Sequence, residues 1–540
     1  MSAVESKVAG ILHELTLLQE REGWLSEAGL RHLAERLRVP LHRLEGVSTF
    51  YTHFRRTPPK GAQVRVCRDL PCVLAGGGAA CAKLREALVE RDNVELREVS
   101  CLGRCDRAPA AGVGRRIIDL ADTRAVLNAL DDPESAPPRQ SPQSWDADPY
   151  DRPEDRYGAL RAALAADEHE PIRTLERAGL RGMGGAGFPA GRKWALVAGE
   201  PGTPKYVVCN ADESEPGSFK DRQILHDLPH LVIEGMALAA RCIGAERGWV
   251  FIRHEYEPER HRLEAAIEEA RAAGALGHRV FGSDFRFDVE IFVSPGGYIL
   301  GEETALLECM EDRRGEPRNR PPFPGSHGLW GRPTLINNVE TFAHAAAIVR
   351  KGVDWWKSLG RPGFAGHKFI SVSGDVALPG VVLVPFGTTL RELLDSCGGI
   401  RAGGQLAAIA PGGASSDFLP AARLDVPIDF ETIAEAGSML GSGAAIFVAE
   451  GRDLIQVGLA VTRFFRNESC GKCVPCRLGS EKAVKLVETA GRVSPETAEI
   501  LEELHATLRR TSLCGLGHVA LGPLRSILAN FPTRSAGGGR

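Results

Sequence analysis

The chain has 540 residues, 43% hydrophobic and 25% charged, with a formal net charge of −4. That length predicts about three to five globular domains. The slightly acidic balance excludes the basic field of a nucleic-acid binder, and no apolar run reaches the roughly 18 residues of a membrane helix. The N-terminal segment lacks the basic-then-apolar pattern of a secretory signal, so a cytoplasmic setting is expected.

Residues 1–62 are predicted to be helical. Val4, Val8, Ile11, Leu12, Leu15 and Leu18 recur at three- and four-residue steps, which places them on one face. Ser26 is positioned to cap a second helix, and Pro40 suits the first turn of a third. Residues 63–130 form a small α/β unit: strand AQVRVC, a glycine-rich turn, a helix near 79–91, strand NVELREV and a short strand from Arg116 to Leu120. Residues 131–156 hold six prolines and many charges, the composition of a linker. An α/β domain follows over 157–365, with strands KYVVCN, WVFIRH and DVEIFVS. Residues 366–448 are β-rich, residues 449–534 are helical, and the terminal RSAGGGR is expected to be disordered.

Thirteen cysteines, an odd number, argue against a disulfide framework. Cys67 and Cys72 form a C-x₄-C step, and Cys101 and Cys105 a C-x₃-C step. Four thiolates suit a two-iron, two-sulfur cluster, two to each iron; the spacing is unlike the common C-x₂-C zinc knuckle. Zinc and four buried structural cysteines are the alternatives. Cys470, Cys473 and Cys476 form a C-x₂-C-x₂-C run, with Cys514 38 residues further on. Three close thiolates and one remote thiolate match the one-ligand-per-iron need of a four-iron cubane, whereas zinc usually takes two separated C-x₂-C pairs. Helical periodicity between Cys476 and Cys514 would return the chain to the cluster. Cys81 has no partner at a matching step; with Cys209, Cys242, Cys309 and Cys397 it is expected to be a small buried apolar residue.

Gly182-x-Gly184-x-x-Gly187 matches the dinucleotide fingerprint, but its context does not. A helix rather than a strand precedes it, and no acidic residue lies about twenty positions further on. Its backbone amides remain suited to a phosphate. A strand then opens onto Asn210, Asp212, Glu213, Ser214 and Glu215, a loop fitted to hydroxyls and ring polar atoms, or else a solvated turn. Segments 294–308 and 318–341 share this style, and Asn337-Asn338 offers paired amides. Neither a metalloprotease motif nor a nucleophile elbow is present.

Residues 5–115, with GWLSEAGLRHLAERLRVP, CRDLPC and CLGRCDRAP, resemble the small thioredoxin-like [2Fe-2S] (24 kDa-type) subunit of bacterial complex I. Residues 160–530, with RGMGGAGFPAGRKW, NADESEPGSFKDR, GGYILGEE and ESCGKCVPCR, resemble its FMN- and NADH-binding (51 kDa-type) subunit. Both modules also occur in the diaphorase subunits of soluble NAD-dependent formate dehydrogenases and NAD-reducing hydrogenases. The resemblance implies a multidomain α/β chain: N-terminal helices and a thioredoxin-like [2Fe-2S] domain, a Rossmann-like FMN domain, a ubiquitin-like β-grasp (SLBB) domain, and a C-terminal helical bundle with a [4Fe-4S] cluster. It implies FMN contacts from Gly182, Gly184, Gly185, Gly187, Lys193, Asn210, Asp212, Glu213, Ser214, Tyr298, Gly301, Glu302, Asn337 and Asn338. Phe188, Glu215, Glu303 and Phe323 are implied NADH contacts, with Glu215 and Glu303 acting by position and charge. Arg320 stands where the family often has lysine, Met183 where it usually has arginine, and Leu196 where a second aromatic often follows the tryptophan.

The implied activity is hydride exchange between NAD(H) and FMN, with single electrons passing through the clusters. Fusion of both modules in one chain points to a soluble assembly with an iron–sulfur-rich catalytic subunit of formate dehydrogenase or hydrogenase type. The alternatives are a fused NADH-input subunit of complex I and, in a different class, an iron–sulfur scaffold with a degenerate flavin site.

Overall fold

The computed structural model describes residues 10–132, 141–490 and 493–531. Val4 and Val8 of the predicted N-terminal face, residues 133–140 of the predicted linker and the terminal RSAGGGR lie outside the described residues.

Three helices, Ile11–Glu22, Glu27–Leu37 and Leu41–Ser48, open the described chain. Leu12, Leu15 and Leu18 pack with Leu30, Leu33 and Leu44 in one apolar cluster. Ser26 Oγ accepts from the Gly29 amide at 3.0 Å, the predicted cap. Pro40 stands one residue outside the third helix, at its N-cap rather than in its first turn.

The next domain holds β1 (Ala62–Cys67), β2 (Val94–Val99), β3 (Ala110–Val113) and β4 (Arg116–Asp119) in the order β2-β1-β3-β4. β1 and β2 are parallel and so need a crossover. The helix Gly77–Ala87 supplies most of it; it starts earlier than the composition suggested because Gly76, at φ 83°, makes the sharp entry. Cys81 packs with Val64, Val66 and Leu84 in this domain's core.

The described half of the predicted linker is anchored. Trp145 Nε1 donates to Asp227 Oδ2 at 2.6 Å, Tyr150 hydrogen-bonds Glu234, and Ala147 is fully buried. One tryptophan and one tyrosine pin a proline-rich run to the domain that follows.

That domain contains β5 (Lys205–Ala211), β6 (Ala245–Arg253), β7 (Asp288–Ser294) and β8 (Thr334–Asn338), all parallel, ordered β7-β6-β5-β8. Val207, Val208 and Cys209 are fully buried in succession, as expected where both faces of a sheet are covered. Strand order reverses between β5 and β8. The connections from their carboxyl ends therefore lead away from each other and open a crevice, the usual ligand position in such sheets.

A mixed sheet follows: β9 (His367–Gly374), β10 (Gly380–Pro385), β11 (Leu406–Ala410), β12 (Leu419–Pro420) and β13 (Ala444–Ala449), ordered β10-β9-β13-β11-β12. Its central pair β9/β13 is parallel and the outer pairs are antiparallel, the ubiquitin-like arrangement. The chain ends in helices. Val474–Ala490 and Pro495–Thr511 run out and back, so two helices, not one, return Cys514 toward Cys476. Among the described residues no helix is long and apolar enough to cross a membrane.

Where the parallel-sheet domain meets β9, His344 and His367 lie with ring centroids 4.9 Å apart, packed against Trp356. Burial, reinforced by His344, pushes His367 down to about 3. Its folded value thus lies below the unfolded one near 6.5, so the unfolded state binds more protons between these values and stability falls as pH drops from about 6.5 toward 3. Removing this group removes a slope of about 1.4 kcal/mol per pH unit. His367→Phe should therefore flatten the acid limb of Tm against pH relative to the parent; parallel curves would show that His367 does not titrate on unfolding.

Candidate functional site

The crevice is floored by the ends of β5 and β8 and roofed by the glycine loop. That loop leaves the helix Glu170–Ala178, not a strand. Gly182 N donates to Phe188 O at 2.8 Å and closes it. Gly185 (φ 128°) and Gly187 (φ 63°) take conformations that favour glycine. A Cβ on Gly184 would stand 3.0 Å from Asn338 Cβ, so the crevice wall here is bare backbone. Met183 is buried at 1% exposure. A cation still reaches the loop from the next domain: Lys368 Nζ donates to Met183 O at 3.3 Å.

The predicted crevice residues divide into two groups. Asn210 and Asp212 stand at the end of β5, with Asn210 Nδ2 donating to Gly301 O at 2.9 Å and Ser214 Oγ donating to Asp212 Oδ2 at 3.1 Å. Asp212 Oδ1 and Asn337 Oδ1 are buried without a partner, which is what a site shaped for a polar ligand presents. Burial pushes Asp212 up to about 7. Other predicted carboxylates are committed to backbone. Glu213 accepts from the amides of Asp221 and Arg222, both at 3.1 Å, and Glu302 caps the helix Glu303–Met310. Asn338 caps the helix Val339–Lys351, and its Nδ2 donates to Asp221 Oδ2 at 2.6 Å. Tyr298 packs its ring on Phe464 and Phe465.

Glu215 turns toward the ubiquitin-like domain, where Ser415 N donates to it at 2.7 Å. Burial, opposed by these hydrogen bonds, pushes it up to about 7. At the crevice mouth, Glu303 holds two cations, Lys193 at 3.2 Å and Arg320 at 3.3 Å. Phe188 and Phe323 are 43% and 58% exposed, as is Leu196 at 57%, so apolar surface stands open here.

Beneath the crevice lies a buried charge cluster. Glu340 pairs with Lys220 and Lys368, each at 2.9 Å, and Lys220 also meets Asp221 at 2.7 Å. Burial opposes Glu340's ionisation, but the two lysines outweigh it and hold the carboxyl well below its usual range. Burial pulls Lys368 down to about 8 against the pull of Glu340.

The Cys101–Cys105 loop docks against this same site. Cys101 and Cys105 Sγ lie 3.4 Å apart, and Cys67 and Cys72 are buried together beside Leu102. Gly217 N, from the acidic loop, donates to Cys105 Sγ at 3.3 Å, the kind of amide contact that stabilises a thiolate ligand. Arg253, at the end of β6, is 3% exposed. Its Nη1 donates to Glu213 O at 2.6 Å and its Nη2 to Cys101 O at 2.5 Å, with Glu255 as counter-ion at 2.8 Å. Arg222 adds a donation to Gly103 O at 2.7 Å. Cys470, Cys473, Cys476 and Cys514 line one small cavity with Ile299 and Leu516. Each of the two quartets offers four thiols, the number that a two-iron or a four-iron cluster requires.

Comparison with known proteins agrees with this division. Residues 1–133 match the thioredoxin-like [2Fe-2S] ferredoxin family, 175–347 the Nuo51 FMN-binding domain, 369–416 the SLBB domain, and 456–536 the NADH-ubiquinone oxidoreductase-F iron-sulfur binding region. The NADH-quinone oxidoreductase F subunit of Mycobacterium bovis is 43% identical over 72% of this chain and 89% of its own length. The chain belongs to the F-type subunit family of NADH-quinone oxidoreductases. Another relative, NADP-reducing hydrogenase subunit HndC of Solidesulfovibrio fructosivorans, is 41% identical over 69% of this chain and 77% of its own. The structure of an air-oxidised NAD+-reducing [NiFe]-hydrogenase superposes with TM-score 0.84 and 32% identity over 96% of this chain and 92% of that one. As a family member the chain is a flavin and iron–sulfur oxidoreductase using FMN, NAD, a [2Fe-2S] and a [4Fe-4S] cluster.

Reading by motif missed Arg253, Arg222, Ser415, Lys368 and Glu340. Each makes at least one contact with a residue far from it in sequence. Arg253 ends a segment legible only as a strand. Arg253→Leu should leave Glu255 and two carbonyls unpaired in the interior, a loss of roughly 3–5 kcal/mol. FMN and two-iron occupancy of the purified protein should fall together. Iron loss with full flavin retention would show that the two loops are not braced in common.

Proposed function

We propose that this chain is the NAD(H)-facing module of an assembly whose iron–sulfur partner subunit is of hydrogenase or formate dehydrogenase type. The observation that carries the soluble-enzyme reading is coverage: the NAD+-reducing hydrogenase chain aligns over 96% of this one, both modules included, whereas the Mycobacterium bovis relative aligns over 72%. A cytoplasmic setting belongs to the same proposal and rests on thirteen unpaired cysteines.

When bound, FMN exchanges a hydride with nicotinamide and single electrons with iron–sulfur clusters. In this reading the glycine-loop amides of Gly182, Gly184, Gly185 and Gly187 receive the flavin phosphate. Asn210, Asp212, Ser214 and Asn337 meet its hydroxyls and ring edge, with Tyr298 and Gly301 closing the wall. Glu213, Glu302 and Asn338 act through the helices they cap. Phe188 and Phe323 offer ring faces to the dinucleotide, and Glu303 keeps Lys193 and Arg320 in place at the mouth. Glu215, with a carboxyl that titrates near neutrality, sets the local charge beside the nicotinamide. Cys67, Cys72, Cys101 and Cys105 hold the two-iron cluster. Cys470, Cys473, Cys476 and Cys514 hold the four-iron cluster, the exit to the partner.

Cys473→Ser tests the exit. It should abolish the four-iron signal and transfer to the partner while leaving FMN bound and reducible by NADH. Full-rate transfer without that cluster would overturn the assignment.

Cofactor choice follows from the mouth. Glu303 and Glu302 both face Arg320, at 3.3 and 3.7 Å, so its charge is already matched and a ribose phosphate would meet net repulsion. NADH should be preferred over NADPH by kcat/KM, and Glu303→Gln should narrow that preference by freeing Arg320. Equal kcat/KM for the two nucleotides in the parent chain would refute this account.

A further inference from the structure

A recess of about 320 Å³ opens between the thioredoxin-like domain, the β6–β7 end of the flavin domain and the C-terminal helices, sharing Ser214 and Tyr298 with the wall of the nucleotide crevice. Its lining is cationic. Arg65 and Arg97 are register partners across the parallel β1/β2 pair, on strands about 4.8 Å apart. Like charges directly opposite one another destabilise a sheet, and here both face one recess. Arg65 donates to Gly114 O at 2.9 Å, a neutral partner. Arg97 and Arg68 line the same wall and form no ion pair among the described residues.

Three carboxylates share the lining, and each already has a partner. Glu255 pairs with Arg253, Glu98 with Arg85, and Glu468 accepts from Ser100 Oγ and Tyr298 N. One nitrogen of the lining, Gln63 Nε2, is buried with no hydrogen-bond partner, while His254 Nδ1 lies 3.3 Å from Glu255 Oε2. Guanidinium charge without an ion pair at Arg68 and Arg97, a like-charge strand pair and one buried orphan nitrogen are together what a site shaped for an acceptor presents.

We infer that this recess is an oxyanion site that takes a phosphate group, with Arg65, Arg68 and Arg97 as its cationic wall and Gln63 as its neutral donor. The volume accommodates a phosphate and bridging water, at about 30 Å³ per water. Cys101 and Leu102 also line the recess. An anion held here would place negative charge beside a cluster ligand, so occupancy would disfavour reduction of the group that Cys101 holds.

The full-length holoprotein, loaded with FMN, would be titrated with inorganic phosphate at constant ionic strength against chloride, reading Tm and binding heat. The parent should show a saturable rise in Tm that chloride does not reproduce. Arg97→Gln removes one of two opposed charges. It should raise Tm in phosphate-free buffer, abolish most of the phosphate increment and weaken binding at least tenfold. Arg68→Gln should weaken binding without the phosphate-free gain, because Arg68 has no opposed partner in the strand pair. ADP, titrated with NAD+ saturating, separates the sources. Tighter binding than phosphate, lost in Arg97→Gln, assigns the site to a nucleotide phosphate, and binding of inorganic phosphate alone assigns it to the free ion. A phosphate response equal to that of chloride, or one unchanged in Arg97→Gln, overturns the inference.

Discussion

The arrangement of redox sites in this chain depends on one buried guanidinium. Arg253 sits at the end of β6 and donates to two backbone carbonyls, one on the loop that borders the flavin crevice and one on a cysteine of the thioredoxin-like domain. Backbone carbonyls cannot swing away as side chains can, so the spacing of these loops is fixed by the width of one planar fork. Burial opposes Glu255's ionisation, yet Arg253 outweighs it and holds the carboxyl well below its usual range. The counter-ion is thereby secured, and the guanidinium can commit its remaining donors to the two loops. Arg222 and the Gly217 amide add further contacts along the same seam.

The ubiquitin-like domain carries no predicted ligand, yet it completes the site. Ser415 holds Glu215, and Lys368 reaches both the glycine-loop carbonyl and the buried Glu340. With Met183 buried where the family usually has arginine, the loop's backbone is met by its own Arg181, on Gly187 O at 2.7 Å, and by Lys368 of β9, on Met183 O at 3.3 Å. A domain that looks like a spacer in the linear order of the chain therefore shapes the electrostatics of the crevice from behind.

What could be read from sequence follows locality. The Ser26 cap, the apolar face at Leu12, Leu15 and Leu18, and the strands KYVVCN and DVEIFVS are signals contained within a few residues, and each has its counterpart in the fold. The crevice was legible in part: Asn210 and Asn337 stand at the reversal point of the strand order, but that reversal is a property of topology. That Glu213 and Glu302 also cap helices was not legible, because a sequence does not show which amides a carboxylate accepts from. Residues 143–150 read as spacer because prolines dominate composition, while two aromatic anchors decide where the segment lies. Arg253, Ser415 and Lys368 carry no local pattern, since the contacts that join the loops and domains are made to residues long stretches of chain away.

The buried cluster of Glu340, Lys220, Asp221 and Lys368 has a consequence for how this protein can change over time. It spans three chain segments in two domains, with Glu340 and both lysines fully buried. Replacing one member leaves its partner charged without compensation in a low-dielectric interior, whereas a concerted replacement by well-packed apolar residues can be neutral. Drift at these positions is therefore strongly epistatic, and no single-step path through sequence space stays level. The flavin domain and the ubiquitin-like domain are held to a shared history, and a graft of either onto a foreign counterpart would have to carry the matching half of this cluster with it.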